Sequence, residues 1–136
     1  MASEAREFDL VLFGASGFTG GLVAQHVARS ARADIRIALA GRRAEVLHAL
    51  RERLLAEHPN RQIGVIVADV SDPTSLTRMA ASTRAVLSTV GPFSDYGEPL
   101  VRACVEQGTD YLDSTGERPF VLAMIDRYDR RARERG

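Results

Sequence analysis

A chain of 136 residues, 45% hydrophobic and 26% charged, has the length of one domain and the balance of a globular one, not that of a disordered or fibrous chain. Its 18 basic and 18 acidic side chains cancel, so no electrostatic footprint points to nucleic acid or an anionic surface, and no apolar run approaches the roughly 18 residues of a membrane span. Cys104 is the only cysteine and every basic residue is arginine, which excludes an internal disulfide framework, a multi-cysteine metal site, and any chemistry that must find its own lysine.

A lone cysteine suits a reducing compartment, and MASEAREFDL carries acidic residues where a secretory leader is basic. The expectation is a cytoplasmic protein that begins here.

In chain order, Phe8 to Phe13 reads as a buried strand because its apolar residues are nearly continuous and stop at Gly14. Phe18 to about Ser30 follows as a helix, with Leu22, Val23, His26 and Val27 at helical spacing. Ile35 to Ala40 is a second strand closed by Gly41. Ala44 to Glu57 is a helix with an apolar stripe of Val46, Leu47, Leu50 and Leu54. Ile63 to Ala68 is a third strand, after which Asp72 and Pro73 form a cap and first-turn pair for a helix from Thr74 to about Ser82. Ala85 to Val90 is a fourth strand, and the loop after it carries Tyr96. Glu98 to Gln107 is helical with Gly108 as its C-terminal cap. Asp110 to Leu112 is a short fifth strand. The last helix, Phe120 to about Arg133, turns Phe120, Met124, Ile125 and Tyr128 inward.

Short apolar strands alternating with helices predict parallel strands joined by right-handed crossovers, an α/β doubly wound sheet of Rossmann type with about five strands. The two-halved form of that fold has six strands, so the chain stops before the sixth. No linker or repeat divides residues 1–136, which read as a single domain.

Gly14-Ala15-Ser16-Gly17-Phe18-Thr19-Gly20 places three glycines between a strand and a helix. There the first glycine permits a tight turn, the second lets backbone approach a pyrophosphate, and the third lets helix and strand pack closely. The helix N-terminus adds free N–H groups and a positive dipole end, and Ser16 and Thr19 add hydroxyls. A glycine-rich turn without a ligand, and a flavodoxin-like or phosphosugar site, are the competing readings.

Folds that select NAD place a carboxylate at the end of the second strand to bind the ribose 2′-hydroxyl. Here that place reads Leu39-Ala40-Gly41-Arg42-Arg43. Two guanidinium groups and no carboxylate point to a 2′-phosphate, hence NADP; the alternative is that they open a solvated helix face. Asp69 stands where it can accept from an adenine amino group, with Val70 against the ring, and it serves equally as a turn residue. Thr89, Val90, Gly91 and Pro92 follow the fourth strand at the switch region and offer mainly backbone to the nicotinamide side. Asp113-Ser114-Thr115-Gly116-Glu117 gathers polar groups at the fifth strand's end, or else simply opens the last helix, with Ser114 or Thr115 as its cap. Cys104 reads as a core thiol. His26, His48 and His58 lack metal-ligand spacing, so no metal is expected.

Three stretches together resemble one family: FGASGFTG, ALAGRR, and VLSTVGPFSDYGEPLVRACVEQGTDYLDSTGE. The chain is similar to the N-terminal NADP-binding domain of the saccharopine dehydrogenase-like oxidoreductases, which include bacterial trans-acting enoyl reductases of lipid synthesis. The resemblance implies that Gly14, Ser16, Gly17, Phe18, Thr19 and Gly20 hold a pyrophosphate, Arg42 and Arg43 a 2′-phosphate, and Asp69 with Val70 the adenine side. It also implies a small-molecule or acyl substrate held by a C-terminal domain beyond this sequence, and it leaves the catalytic groups unassigned. A non-catalytic NADP-binding redox sensor is the rival reading. The unpaired edge of the fifth strand, or the last helix, is expected to support a homo-oligomer.

Overall fold

The computed structural model describes residues 5–136; residues 1–4, on which part of the leader expectation rests, lie outside them. The elements are β1 (Phe8–Phe13), α1 (Phe18–Ser30), β2 (Arg36–Gly41), α2 (Ala44–Glu57), β3 (Gln62–Val67), α3 (Pro73–Ala81), β4 (Thr83–Ser88), α4 (Phe93–Tyr96), α5 (Glu98–Gln107), β5 (Asp110–Asp113) and α6 (Arg118–Arg135). All strands are parallel, in the spatial order β3-β2-β1-β4-β5. This is the doubly wound order through the fifth strand, and the winding reverses between β1 and β4.

Alternation along the central strands serves two cores. Val11, Phe13, Ala38 and Ala40 face α3 and α5, where they meet Leu76, Met79, Leu100 and Cys104. Leu12, Ile37 and Leu39 face the other way, toward Leu47, Leu50 and Leu54 of α2 and Ala24 and Ala28 of α1. Both faces are covered, as a parallel sheet requires, and truncating a fully buried leucine such as Leu47 to alanine is expected to cost about 2–5 kcal/mol. A third cluster, Phe93, Val101, Phe120 and Tyr128, fastens α4 and α6 to α5.

The cap residues act as read. Asp72 accepts from the Ser75 N–H at 3.3 Å with Pro73 in the first turn, and Gly108 ends α5 at φ +63°.

Four expectations are corrected. The buried stripe of α1 is Gly20, Ala24 and Ala28, while Leu22 and His26 point outward. This helix crosses the glycine loop so closely that small residues must face the sheet, and proximity overrides the hydrophobic pattern. β4 spans Thr83–Ser88, two residues earlier than the pattern suggests, because Thr83 pairs with Phe8 and Ser88 with Phe13; Thr89 and Val90 are thereby freed for the loop. The stretch after β4 contains the short helix α4, which Phe93 anchors in the core. In α6, Phe120 and Tyr128 are buried against α4 and α5 but Ile125 is 56% exposed.

Candidate functional site

At the reversal point the chain leaving β1 is drawn across toward β2. Gly14 and Ala15 both donate their N–H groups to the Ala40 carbonyl, at 2.9 and 3.2 Å. On the other side Thr89 gives its N–H to the Phe13 carbonyl at 3.0 Å and its hydroxyl to the same oxygen at 3.3 Å. The start of the glycine loop is therefore held to the end of β2, and the residue before it to the start of the β4 loop, before the chain enters α1.

Two glycines are sterically required there. Gly14 has φ +91°, and a Cβ on it would lie 2.7 Å from the Thr89 hydroxyl. At Gly20 a Cβ would lie 1.9 Å from the Gly14 carbonyl oxygen, so the third glycine brings helix and loop together. Gly17 differs: its added Cβ meets only the Gly14 oxygen, at 3.4 Å, and otherwise projects into open space. That open space lies at the N-terminus of α1, where Gly17 is the N-cap. No side chain caps this helix, and no acid occupies its first turn. The first-turn N–H groups and the positive dipole end are left available to an anion from outside the chain.

A cleft of about 350 Å³ opens over this point. Of the residues singled out from the sequence, Gly14, Ser16, Gly17, Arg42, Arg43, Val70, Thr89, Val90 and Gly91 line it. Phe13 and Gly41 line it too, and sequence reasoning did not single them out; as the last residues of two neighbouring central strands they had a positional signal. Tyr96, across the cleft on α4, joins them and is 45% exposed. Phe18, Thr19, Gly20, Asp69 and Pro92 stand outside the lining: Phe18 is 86% exposed on α1, and Gly20 is buried beneath the loop.

The two arginines differ. Arg43 is the N-cap of α2 and donates from Nη2 to the Ser16 carbonyl at 3.1 Å. Arg42 is exposed at the cleft rim, on the side of Asp69. The Asp69 carboxyl is held below its ordinary range, first by the N–H and hydroxyl of Ser71, at 2.9 and 2.8 Å from Oδ1, and further by the Arg42 charge. One Asp69 oxygen is thus committed to a turn.

The polar group at the end of β5 divides. Asp113 accepts from Tyr111 and Thr115, whereas Glu117 reaches across to the start of α4. Neither Ser114 nor Thr115 caps α6; Glu117 holds the N-cap position, and α6 begins two residues earlier than the pattern suggests, at Arg118.

A second cleft of about 290 Å³ lies between α5, β5 and α6, walled by Val101, Val105, Met124 and Tyr128. Its cysteine, Cys104, is buried, and burial pushes the thiol up to about 12, so no reactive thiolate faces it. The glycine loop, both arginines and the β4 loop converge on the first cleft. Among the described residues no three His, Cys, Asp or Glu side chains gather as for a metal, and no helix is long and apolar enough to cross a membrane.

A parallel sheet wound 3-2-1-4-5, with an uncapped helix N-terminus behind a glycine loop at its reversal point, defines a Rossmann-type domain. Residues 10–136 match the saccharopine dehydrogenase NADP binding domain, and the chain belongs to that family. Its cofactor is NADP, and the open space beside Gly17, the unanswered α1 terminus and the two rim arginines fit such a group.

Trans-acting enoyl reductases are similar over the whole chain: that of Mycobacterium tuberculosis is 48% identical over 139 residues and that of Mycobacterium ulcerans 45% over 139. The chain spans 32% of the length of each of these relatives. Among solved structures, apo saccharopine dehydrogenase (L-Glu forming) from Saccharomyces cerevisiae superposes with a TM-score of 0.69 at 23% identity, covering 86% of this chain and 24% of that one. The Citrobacter sp. triphenylmethane reductase complexed with NADP(H) gives 0.64 at 23% identity, covering 94% and 46%. These two likenesses establish the fold.

Proposed function

We propose that residues 1–136 form the NADP-holding domain of a larger oxidoreductase, and that the cleft over the glycine loop takes the cofactor. In this reading Gly14, Ser16 and Gly17, with the N–H groups of Phe18, Thr19 and Gly20, hold the pyrophosphate. Arg42 grips the 2′-phosphate with Arg43 beside it, Asp69 and Val70 border the adenine, and Thr89 to Pro92 back the nicotinamide side. The observation that carries it is the pairing of an uncapped, acid-free α1 terminus with two arginines at the end of β2, all around one cleft.

When bound, NADPH supplies a hydride. This chain's residues bind the phosphates by charge and backbone N–H groups, orient the ring along the β4 loop, and leave the cleft open at Tyr96 for a substrate. The names of the relatives support an enoyl group as that substrate. A further domain would hold it, since the relatives are about three times as long. A reducing, cytoplasmic setting suits the lone buried Cys104. In the isolated chain, the open edge of β5 or the outward face of α6 would pair with a second copy.

Fluorescence titration of NADPH and NADH tests the core of the proposal. NADPH is expected to bind at least about tenfold more tightly, and equal affinities would overturn the assignment of the arginines.

A further inference from the structure

The segment that walls one side of the cleft, Thr89 to Gly91, carries no side-chain charge, and Pro92 joins it to α4. Its near end is held by the bonds from Thr89 to the Phe13 carbonyl. Its far end is held by a residue from a different part of the chain. Glu117 Oε2 accepts the Phe93 N–H at 2.7 Å, and Oε1 accepts the Ser94 N–H at 3.1 Å and the Ser94 hydroxyl at 2.7 Å. The start of α4 has no side-chain cap from its own sequence, so this remote carboxylate caps it. Glu117 is itself fixed, its N–H donating to the Thr115 hydroxyl at 3.0 Å and the next turn of α6 seating Phe120 against the Phe93 ring at 5.9 Å between centroids. The Ser94 hydroxyl, followed by the Phe93 and Ser94 N–H groups, holds the carboxyl below its ordinary range.

We infer that Glu117 is a positioning residue for the cofactor: by bridging the β5–α6 connection to the first N–H groups of α4, it sets where Val90, Gly91 and Tyr96 stand against the nicotinamide half of NADPH. This rests on the NADP reading of the cleft. Glu117 does not line the cleft, whereas the residues it steadies do. Its influence is therefore confined to one end. The 2′-phosphate end is built from Arg42 and Arg43, beyond the glycine loop.

The test separates the two ends by comparing NADPH with 2′,5′-ADP, which carries the 2′-phosphate and adenine but no nicotinamide. Glu117→Gln keeps the shape but sets an amide N–H against a backbone N–H. It is expected to weaken NADPH at least about tenfold, the scale of a lost charge-assisted hydrogen bond, and to leave 2′,5′-ADP within about twofold. Ser94→Ala removes one of the three contacts and supplies the milder variant should Glu117→Gln fold poorly. It is expected to weaken NADPH about threefold and leave 2′,5′-ADP unchanged. Equal losses for both ligands would make Glu117 a purely structural residue, and unchanged NADPH affinity in a folded variant would remove it from the site; either overturns the inference. Failure of the unmutated chain to bind 2′,5′-ADP would instead overturn the NADP reading itself, and the inference with it.

Discussion

Arg43 Nη2 donates to the Ser16 carbonyl at 3.1 Å, a bond that ties the first residues after β2 back to the middle of the glycine loop. The neighbouring arginines are therefore not equivalent. Arg43 spends part of its hydrogen-bonding capacity on the loop, while Arg42 stands exposed at the rim. Arg42→Ala is expected to weaken NADPH by about ten- to a hundredfold and NADH hardly at all, the loss of a charge-assisted bond to the 2′-phosphate. Arg43→Ala should weaken both cofactors, since it loosens the loop that both share. Dissociation constants for the two cofactors decide this. Selectivity retained in Arg42→Ala would assign the 2′-phosphate elsewhere.

The three glycines of the loop should fail in three different ways. Gly20→Ala drives a methyl group to 1.9 Å from the Gly14 carbonyl, where only backbone movement gives relief, and is expected to cost more than about 3 kcal/mol of stability. Gly14→Ala combines a positive φ with contact to Thr89 and should lose both stability and binding. Gly17→Ala meets nothing closer than 3.4 Å, so its urea midpoint should stay near that of the unmutated chain while NADPH binding falls at least about tenfold. Unaltered binding in Gly17→Ala would place the pyrophosphate away from the α1 terminus.

Much of this was legible from the sequence because the signals are local. Gly14, Asp72 and Gly108 each mark a turn or cap whose geometry depends on a few neighbouring residues, and each stands where it was read. The winding followed from the alternation of elements. What escaped depends on contacts remote in sequence. Gly20, Ala24 and Ala28 face inward because α1 must ride close over the loop, and no periodicity in Leu22 to Val27 announces that. Glu117 was visible as an acid near a helix start, the place of a local cap. That its carboxylate serves the N–H groups of Phe93 and Ser94, on a helix itself missed, follows only from the packing of α6 on α5 and α4.

At the opposite end of the sheet, Asp9 on β1 accepts from the Arg36 N–H at 2.9 Å and from its guanidinium at 3.0 and 3.1 Å, with Arg84 at 3.7 Å. The Arg36 side-chain bonds lead in holding the Asp9 carboxyl down to about 2, from 3.8. The folded chain therefore releases this proton more readily than the unfolded one. The pair contributes in full above pH 3.8 and its contribution is lost as pH falls through about 2. Screening at a side chain 21% exposed leaves about 1 kcal/mol. Asp9→Asn should lower the urea midpoint at pH 7, and its deficit should shrink between pH 4 and pH 2. A deficit constant over that window would show that the pair acts through packing and not charge.

The last prediction concerns the free edge. Among the described residues β5 has a neighbour only in β4, and its outward residue Leu112 is 50% exposed. On α6, Leu122 and Ile125 are 54% and 56% exposed, and Val121 stands beside them. An unpaired strand edge bordered by apolar side chains is a template for association, and β5, although short and closed by Asp110 and Asp113, contains neither proline nor lysine. The chain of 136 residues is expected to sediment as a concentration-dependent mixture of monomer and dimer. Leu122→Glu combined with Ile125→Glu should shift that mixture to monomer if α6 forms the contact, while Leu112→Arg should do so if the strand edge does. The substitutions lie on exposed positions, so the urea midpoint should hold in each variant and the change in mass can be read as loss of an interface. A single species of monomer mass at the highest concentration reached would end the proposal of pairing through either surface.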